Sequence, residues 1–367
     1  MAAARLSRHE ISDLCLGKPA LRSLSVSDTV GDALAALKGI DDAYVSVWTC
    51  NHSFLRNQKE KEKEKEEIGK CICIAKVCMV DMICFLSKSQ SLCAPLSALI
   101  PECSPLVRHL APTATIVEAI DVMYEGVHNL VIPIQNKYPT ESDTLHANNT
   151  AYCWLTQEDV FRYLLNSIGV FSPTPCNPIN TLAIIDTHNL FAVAHDDPAS
   201  SALDLLALSL LYQSSVALLD PHGKFLGEIS PFRLNSCDEG VVPALAVLSA
   251  ADFTSFIHCG GPPEDLLHLL RDTPPTALSS FSSTGSDDDD YCFSGKNWKA
   301  GGYSGRAARR SEAIVCYRWS SLVAVMIQAL AHRVSYVWVV EDDGTLTGIV
   351  TFQGMLKVFR DHLKSMC

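Results

Sequence analysis

The stretch Tyr336-Val337-Trp338-Val339-Val340-Glu341-Asp342-Asp343-Gly344-Thr345-Leu346-Thr347-Gly348-Ile349-Val350-Thr351 decides the fold. Two runs of β-branched and aromatic residues flank Asp343-Gly344, a dipeptide that favours the tight turn of an antiparallel hairpin. Before the hairpin, Ser321 to Leu330 spaces apolar residues at helical intervals. After it, Thr351 opens a second helical pattern through Met355, Leu356, Val358 and Phe359. The unit thus reads helix, strand, turn, strand, helix, with the last helix entered through a hydroxyl residue that suits an N-cap.

Working outward, the same order recurs upstream. A third copy runs from Ala202 to Leu211, through Val216-Ala217-Leu218-Leu219 and the turn Asp220-Pro221-His222-Gly223, to Phe225-Leu226-Gly227-Glu228-Ile229 and Ser230. A second copy places a helix over Thr115 to Tyr124, a strand over Asn129 to Ile134, and a returning strand Tyr152-Cys153-Trp154-Leu155 into Thr156, with a polar stretch at Gln135 to Thr150 in place of the turn. The first copy runs from Thr29 to Leu37 through Tyr44 to Trp48 and resumes at Met82 to Leu86, leaving hairpin insertions at about 51–77 and 135–150. The first insertion contains the alternating Lys59 to Glu67 run, which reads as a solvated loop or short helix, and Cys71 to Val77, which reads as an added segment before Cys78. Helical patterns at 243–271 belong to the second half, and the Ser-, Gly- and Asp-rich segment at 273–310 reads as a disordered insertion. The division predicted is an N-terminal pair at 1–172 (repeats 11–90 and 100–172) and a C-terminal pair at 178–367 (repeats 180–240 and 311–362), joined at a Pro-rich hinge.

A 367-residue chain with 48% hydrophobic residues can bury more than one core. Its net charge of -12 argues against a general nucleic-acid surface, and no uncharged apolar run is long enough to span a membrane. The 15 cysteines are scattered along a long chain, and the start from Met1 to Cys15 lacks an apolar core, so the thiols read as reduced and the compartment as intracellular, cytoplasmic by default. Cys50, His52, Cys71, Cys73, Cys78 and Cys84 match no common zinc spacing, and no dinucleotide loop, P-loop, zincin or nucleophile-elbow motif is present. Neither metal ligands nor catalytic residues are expected. Trp48, Trp154 and Trp338 fall at related places in three copies and read as core or interface residues.

Four such units in two pairs resemble CBS-domain proteins, in particular plant proteins built only of CBS repeats, of the CBSX type. The resemblance spans Ile11 to Arg360. It implies an α/β (α+β) fold of four β-α-β-β-α repeats paired into two Bateman modules, regulation in place of catalysis, and an adenosyl ligand: AMP, ADP, ATP or S-adenosylmethionine.

In the family, a glycine-led strand ends in Ser or Thr, followed three residues on by an Asp that takes the ribose hydroxyls. Physically, the hydroxyl caps the helix and free amides at its N-terminus attract phosphate. The same [ST]-x-x-[DE] pattern is also an ordinary capping box. Here the second copy keeps it as Thr156 and Asp159, and the first keeps Asp81 behind Cys78. The third reads Ser230-Pro231-Phe232-Arg233 and the fourth Thr351-Phe352-Gln353-Gly354, which lose the ribose carboxylate. The expected site is therefore between the first two copies: Thr156, Asp159 and Asp81, with His128 before the second copy's strand, and Ser230 and Thr351 as the capping hydroxyls of the other pair.

The His-Arg phosphate pair of AMP-activated kinase γ subunits has its counterparts here in His128-Asn129, Ser214-Ser215 and Ser335-Tyr336, which weakens the expectation of phosphate sensing. The partner implied is a regulated protein, such as kinase subunits or redox proteins, and the two modules are expected to face one another or to form a homodimer through the same helices. A γ-like subunit of an SNF1-related kinase complex and a ligand-free scaffold with decayed clefts are the alternatives.

Overall fold

The computed structural model describes residues 9–38, 43–49, 71–89, 91–100, 106–134, 150–259 and 313–366. The Lys/Glu run at 59–67 and the segments 135–149 and 273–310 lie outside them. The first repeat comprises β1 (Ser23–Ser25), α1 (Val30–Lys38), β2 (Tyr44–Trp48), β3 (Cys73–Cys78) and α2 (Met79–Ser89). The second comprises β4 (Val107–His109), α3 (Ile116–Tyr124), β5 (Asn129–Ile134), β6 (Ala151–Thr156) and α4 (Gln157–Asn166). The third has β7 (Phe191–Ala194), α5 (Leu203–Tyr212), β8 (Val216–Leu219), β9 (Phe225–Ile229) and a single-turn α6 (Pro231–Leu234), extended by α7 (Val241–Val247) and α8 (Ala250–Cys259). The fourth has β10 (Val315–Cys316), α9 (Leu322–His332), β11 (Tyr336–Val340), β12 (Leu346–Thr351) and α10 (Phe352–Met366).

Each repeat makes one three-stranded sheet. Its short first strand runs parallel to the second, across a helix, and the second pairs antiparallel with the third. Gly223 and Gly344 hold φ of +78° and +86°, the left-handed backbone that the two tight turns require. α5 and α9 end alike, at Gln213 (φ 51°) and Arg333 (φ 56°), so the repeat extends to the way its helix is stopped.

The first repeat corrects one expectation. Cys73 to Val77 is not an insertion but most of β3, paired with β2 from Tyr44↔Cys78 to Trp48↔Cys73, and Met82 to Leu86 lies inside α2. The strand is hard to read because Lys76 interrupts its apolar run and a cysteine replaces the hydroxyl cap. Nine cysteines among the described residues are free, in line with reduced thiols, and Cys71, which is disulfide-bonded, departs from that expectation.

Four clusters of buried side chains hold the repeats together. The sheets meet within pairs: Trp48 and Cys73 pack on Val131 and Tyr152 between the first and second repeats, and Ala217 packs on Tyr336, Trp338 and Ile349 between the third and fourth. The helices meet across pairs. One core joins the second and fourth repeats, where Phe161 lies 4.3 Å from Phe352, and Asp121 pairs with Arg360 and Lys364. The other joins the first and third, with Lys88 on Asp204 and Lys38 on Glu239 at the rim. Burying each large apolar side chain contributes about 1.5–3 kcal/mol, so the two helix cores dominate cohesion. The helices of the two modules thus face one another within one chain. The Pro-rich connection is docked as well: Phe171 is buried edge-on against Phe359 at 4.9 Å, and Ile179 N–H bonds the Ser320 carbonyl at 2.9 Å.

Candidate functional site

Asp159 is placed by β6 and the first turn of α4. Thr156 and Asp159 form a reciprocal capping box: Asp159 Oδ2 accepts from Thr156 N–H at 2.8 Å and from its hydroxyl at 2.7 Å. The same oxygen takes Lys18 Nζ at 2.6 Å, from the segment that crosses over the second repeat. Lys18 and Asp159 side chains are 22% and 23% exposed, so a ligand ribose reaching this carboxylate would displace an existing partner. Beneath Lys18, the buried Cys15 and Cys153 thiols hydrogen-bond to one another, which lowers Cys15. Capping boxes of this form also hold Thr29 with Asp32 and Thr115 with Glu118, away from the expected motif, so the capping role stands on its own.

Because Asp159 closes both a cap and a half-buried ion pair, Asp159→Ala is expected to cost about 1–2 kcal/mol of folding stability. Urea denaturation of the two proteins checks this; an unchanged midpoint would show the cap and pair to be energetically idle.

In the first repeat, Asp81 Oδ2 accepts the Cys78 N–H at 2.8 Å, and burial raises its carboxyl above the ordinary range. Beside it, Lys76 reaches from β3 to the second repeat and donates to Asn129 Oδ1 at 2.7 Å, with its Nζ 4.4 Å from the Tyr44 ring centroid. Burial pulls Lys76 down to about 8. His128 is buried next to Asn129, but its Nε2 engages the Leu211 carbonyl at the end of α5, so it ties the second repeat to the third.

Burial, and then the Lys76 charge, push His128 down to about 3 from an ordinary 6.5. A histidine held neutral in the fold binds its proton only when unfolded, so its contribution to stability falls as pH drops from about 6.5 toward 3. His128→Asn is expected to flatten that part of a stability profile measured by denaturant titration; an unchanged slope would remove His128 from acid sensitivity. Asp81 and Glu228, both raised by burial, act in the opposite sense because each takes up a proton more readily in the fold.

The second pair is built differently. Ser230 Oγ lies 3.1 Å from Tyr336 OH and is buried. Two residues earlier, the buried Glu228 accepts from Tyr336 OH at 3.0 Å and Trp338 Nε1 at 2.6 Å. Thr351 Oγ1 caps Gly354 N–H at 3.3 Å. The chain from Ile184 lies against this turn, with the Ile184 carbonyl 3.2 Å from the place of a Cβ at Gly354. Side chains and backbone of the protein itself thus occupy the surroundings of Ser230 and Thr351. Lys76, Asn129, Tyr44, Lys18 and Glu228 went unpredicted; only alignment of the four third strands could have found Lys76 and Glu228, which fall at one repeat position.

A family model for the CBS domain matches residues 320–361. Over its full length the chain is 40% identical to the CBS domain-containing protein CBSX5 of Arabidopsis thaliana, covering 100% of both proteins. The chain belongs to the CBS-domain proteins of the CBSX type. The four repeats described above are therefore CBS repeats, and the two sheet-paired couples are Bateman modules. The CBSX-type chain is also 21% identical to the SNF1-related protein kinase regulatory subunit gamma-like PV42b of the same plant, over 99% of this chain and 97% of that one. Protein MJ1225 from Methanocaldococcus jannaschii shares the fold, with a TM-score of 0.56 at 12% identity, over 96% of this chain and 100% of that structure. Among the described residues, no helix of this CBSX-type protein is long and apolar enough to cross a membrane, and no cluster of His, Cys, Asp or Glu is placed to hold a metal ion.

Proposed function

We propose that this regulatory CBS-domain protein works without catalysis, as a sensor whose N-terminal module, 1–172, binds an adenosyl ligand and whose C-terminal module, 178–367, passes the change to a partner protein. The observation that carries this reading is the contrast between modules. The first keeps Asp81 and Asp159 at the helix starts behind β3 and β6, whereas Arg233 and Gly354 stand at the matching places of the second. A carboxylate at a capped helix start can accept from both ribose hydroxyls, and the nearby amides favour an anion. A ligand that binds one module packing better than another shifts the population toward it, by as much as its affinities differ.

Titration calorimetry with AMP, ADP, ATP and S-adenosylmethionine tests the reading, on the wild type and on Asp81→Asn and Asp159→Ala. Saturable binding weakened at least about tenfold in either variant, a loss of about 1.4 kcal/mol, is the expected result. Silence from a folded protein would overturn it and favour a ligand-free scaffold, a reading that the Lys18–Asp159 pair supports. The likeness to PV42b supports kinase subunits as the partner, which co-purification of a kinase would test.

A further inference from the structure

The residue two places before the helix cap differs sharply between the four third strands. It is Lys76 in β3, Trp154 in β6, Glu228 in β9 and Ile349 in β12, opposite Ser46, Val131, Ala217 and Trp338 in register. In both first members of a pair this residue is charged and reaches into the second member, Lys76 to Asn129 and Glu228 to Tyr336 and Trp338. Asn129 and Tyr336 are themselves matched, each being the first residue of its middle strand. The two modules therefore carry opposite charges at one place in the fold.

The two charges are satisfied to different degrees. Glu228 accepts from an indole N–H and a phenol, and is buried behind them. Lys76 is part-buried, with one amide oxygen and one ring face as its contacts; among the described residues it takes part in no ion pair. An ammonium carries three donors, so donor capacity remains beside Asp81. A carboxylate at the ribose position and a cation next to it suit a nucleoside that carries an anionic group.

We infer that the cleft of the first module selects an adenosine 5′-phosphate, with Lys76 engaging the phosphate, and that the second module takes no nucleotide because Glu228 and its aromatic partners fill the matched place. This rests on the ligand-sensing reading above and adds charge selectivity and a stoichiometry of one per chain. It also supplies the cation that the missing His-Arg pair leaves wanting. S-adenosylmethionine, whose sulfonium is positive near the sugar, is disfavoured by the same ammonium.

The test is titration calorimetry of the full chain with AMP, adenosine and S-adenosylmethionine, on the wild type, Lys76→Met and Lys76→Arg. Expected are one AMP per chain, AMP tighter than adenosine by about tenfold or more, as a charge-assisted hydrogen bond allows, and S-adenosylmethionine weaker than AMP. Lys76→Met should bind AMP and adenosine alike, while Lys76→Arg keeps the preference. Because a phosphate favours the protonated amine, AMP should also bind with proton uptake near pH 8, seen as a dependence of the heat on the buffer's ionisation enthalpy, and lost in Lys76→Met. Equal affinity of wild type for AMP and adenosine, a preference that survives Lys76→Met, or two nucleotides per chain overturns the inference but leaves ligand sensing intact. Failure of all three compounds to bind overturns both.

Discussion

Trp338→Ala is expected to remove about 3–5 kcal/mol of stability, the range for truncating a fully buried aromatic side chain. Trp338 has no exposed surface, and its ring sits 5.4 Å from Phe225 and 5.9 Å from Tyr336, between the sheets of the third and fourth repeats. The substitution opens a void there and also takes the indole N–H from Glu228. Burial already raises the Glu228 carboxyl, the indole and phenol acting against that, so losing one donor leaves a buried charge less compensated. Two further proteins separate void from charge. Trp338→Phe keeps most of the volume and should cost about 1–3 kcal/mol for the abandoned carboxylate. Adding Glu228→Gln should return part of that loss. Guanidinium denaturation followed by circular dichroism reads all three, and a Trp338→Phe protein as stable as wild type would show that the hydrogen bond to Glu228 contributes nothing.

A paired glycine experiment should give the second-largest effect. A Cβ on Gly348 would stand 2.3 Å from Ile185 Cγ2 and 3.1 Å from the Asp186 carbonyl, whose strand-like contact with Ile349 closes both backbone hydrogen bonds at 2.8 and 2.9 Å. The obstructing methyl belongs to a β-branched side chain next to paired backbone, so it has little room to yield. Gly348→Val should therefore cost about 3 kcal/mol through overpacking. Gly227 occupies the same place in the third repeat, opposite Leu218 as Gly348 is opposite Val339, and a Cβ there meets nothing within 4 Å. Gly227→Ala should change stability by no more than about 0.5 kcal/mol. Thermal unfolding of the two variants side by side decides it, and equal losses would mean that the segment at 184–187 does not press on β12.

In the fourth repeat the helix, the hairpin and the closing helix were legible because the hairpin is short and the patterns uninterrupted, so period and turn chemistry agree, whereas the two-residue strand β10 was not read. The first was not, because Lys76 sits inside β3, and a part-buried charge in a strand reads as loop unless its partners are known. What holds that charge comes from a residue 53 positions away, and such long-range compensation leaves no local trace. The helix-start carboxylates Asp81 and Asp159 were visible as motifs, but the motif cannot tell a cap from a ligand contact. Lys18 supplies the third hydrogen bond to Asp159 from 141 residues away, and no spacing rule reaches that far. The helix pairing of first with third and second with fourth repeats was equally hidden, since amphipathic faces state that they need a partner and not which one.

That pairing has a mechanical consequence. Sheets join the first repeat to the second and the third to the fourth, while helices join the second to the fourth and the third to the first, so the contacts close on themselves in a ring of four. In an open string, a wedge driven into one joint simply swings the free end. In a closed linkage of stiff members no joint can open alone, and prying Lys76 from Asn129 must either slide the helix seams or load the joint between Glu228 and Trp338 on the far side.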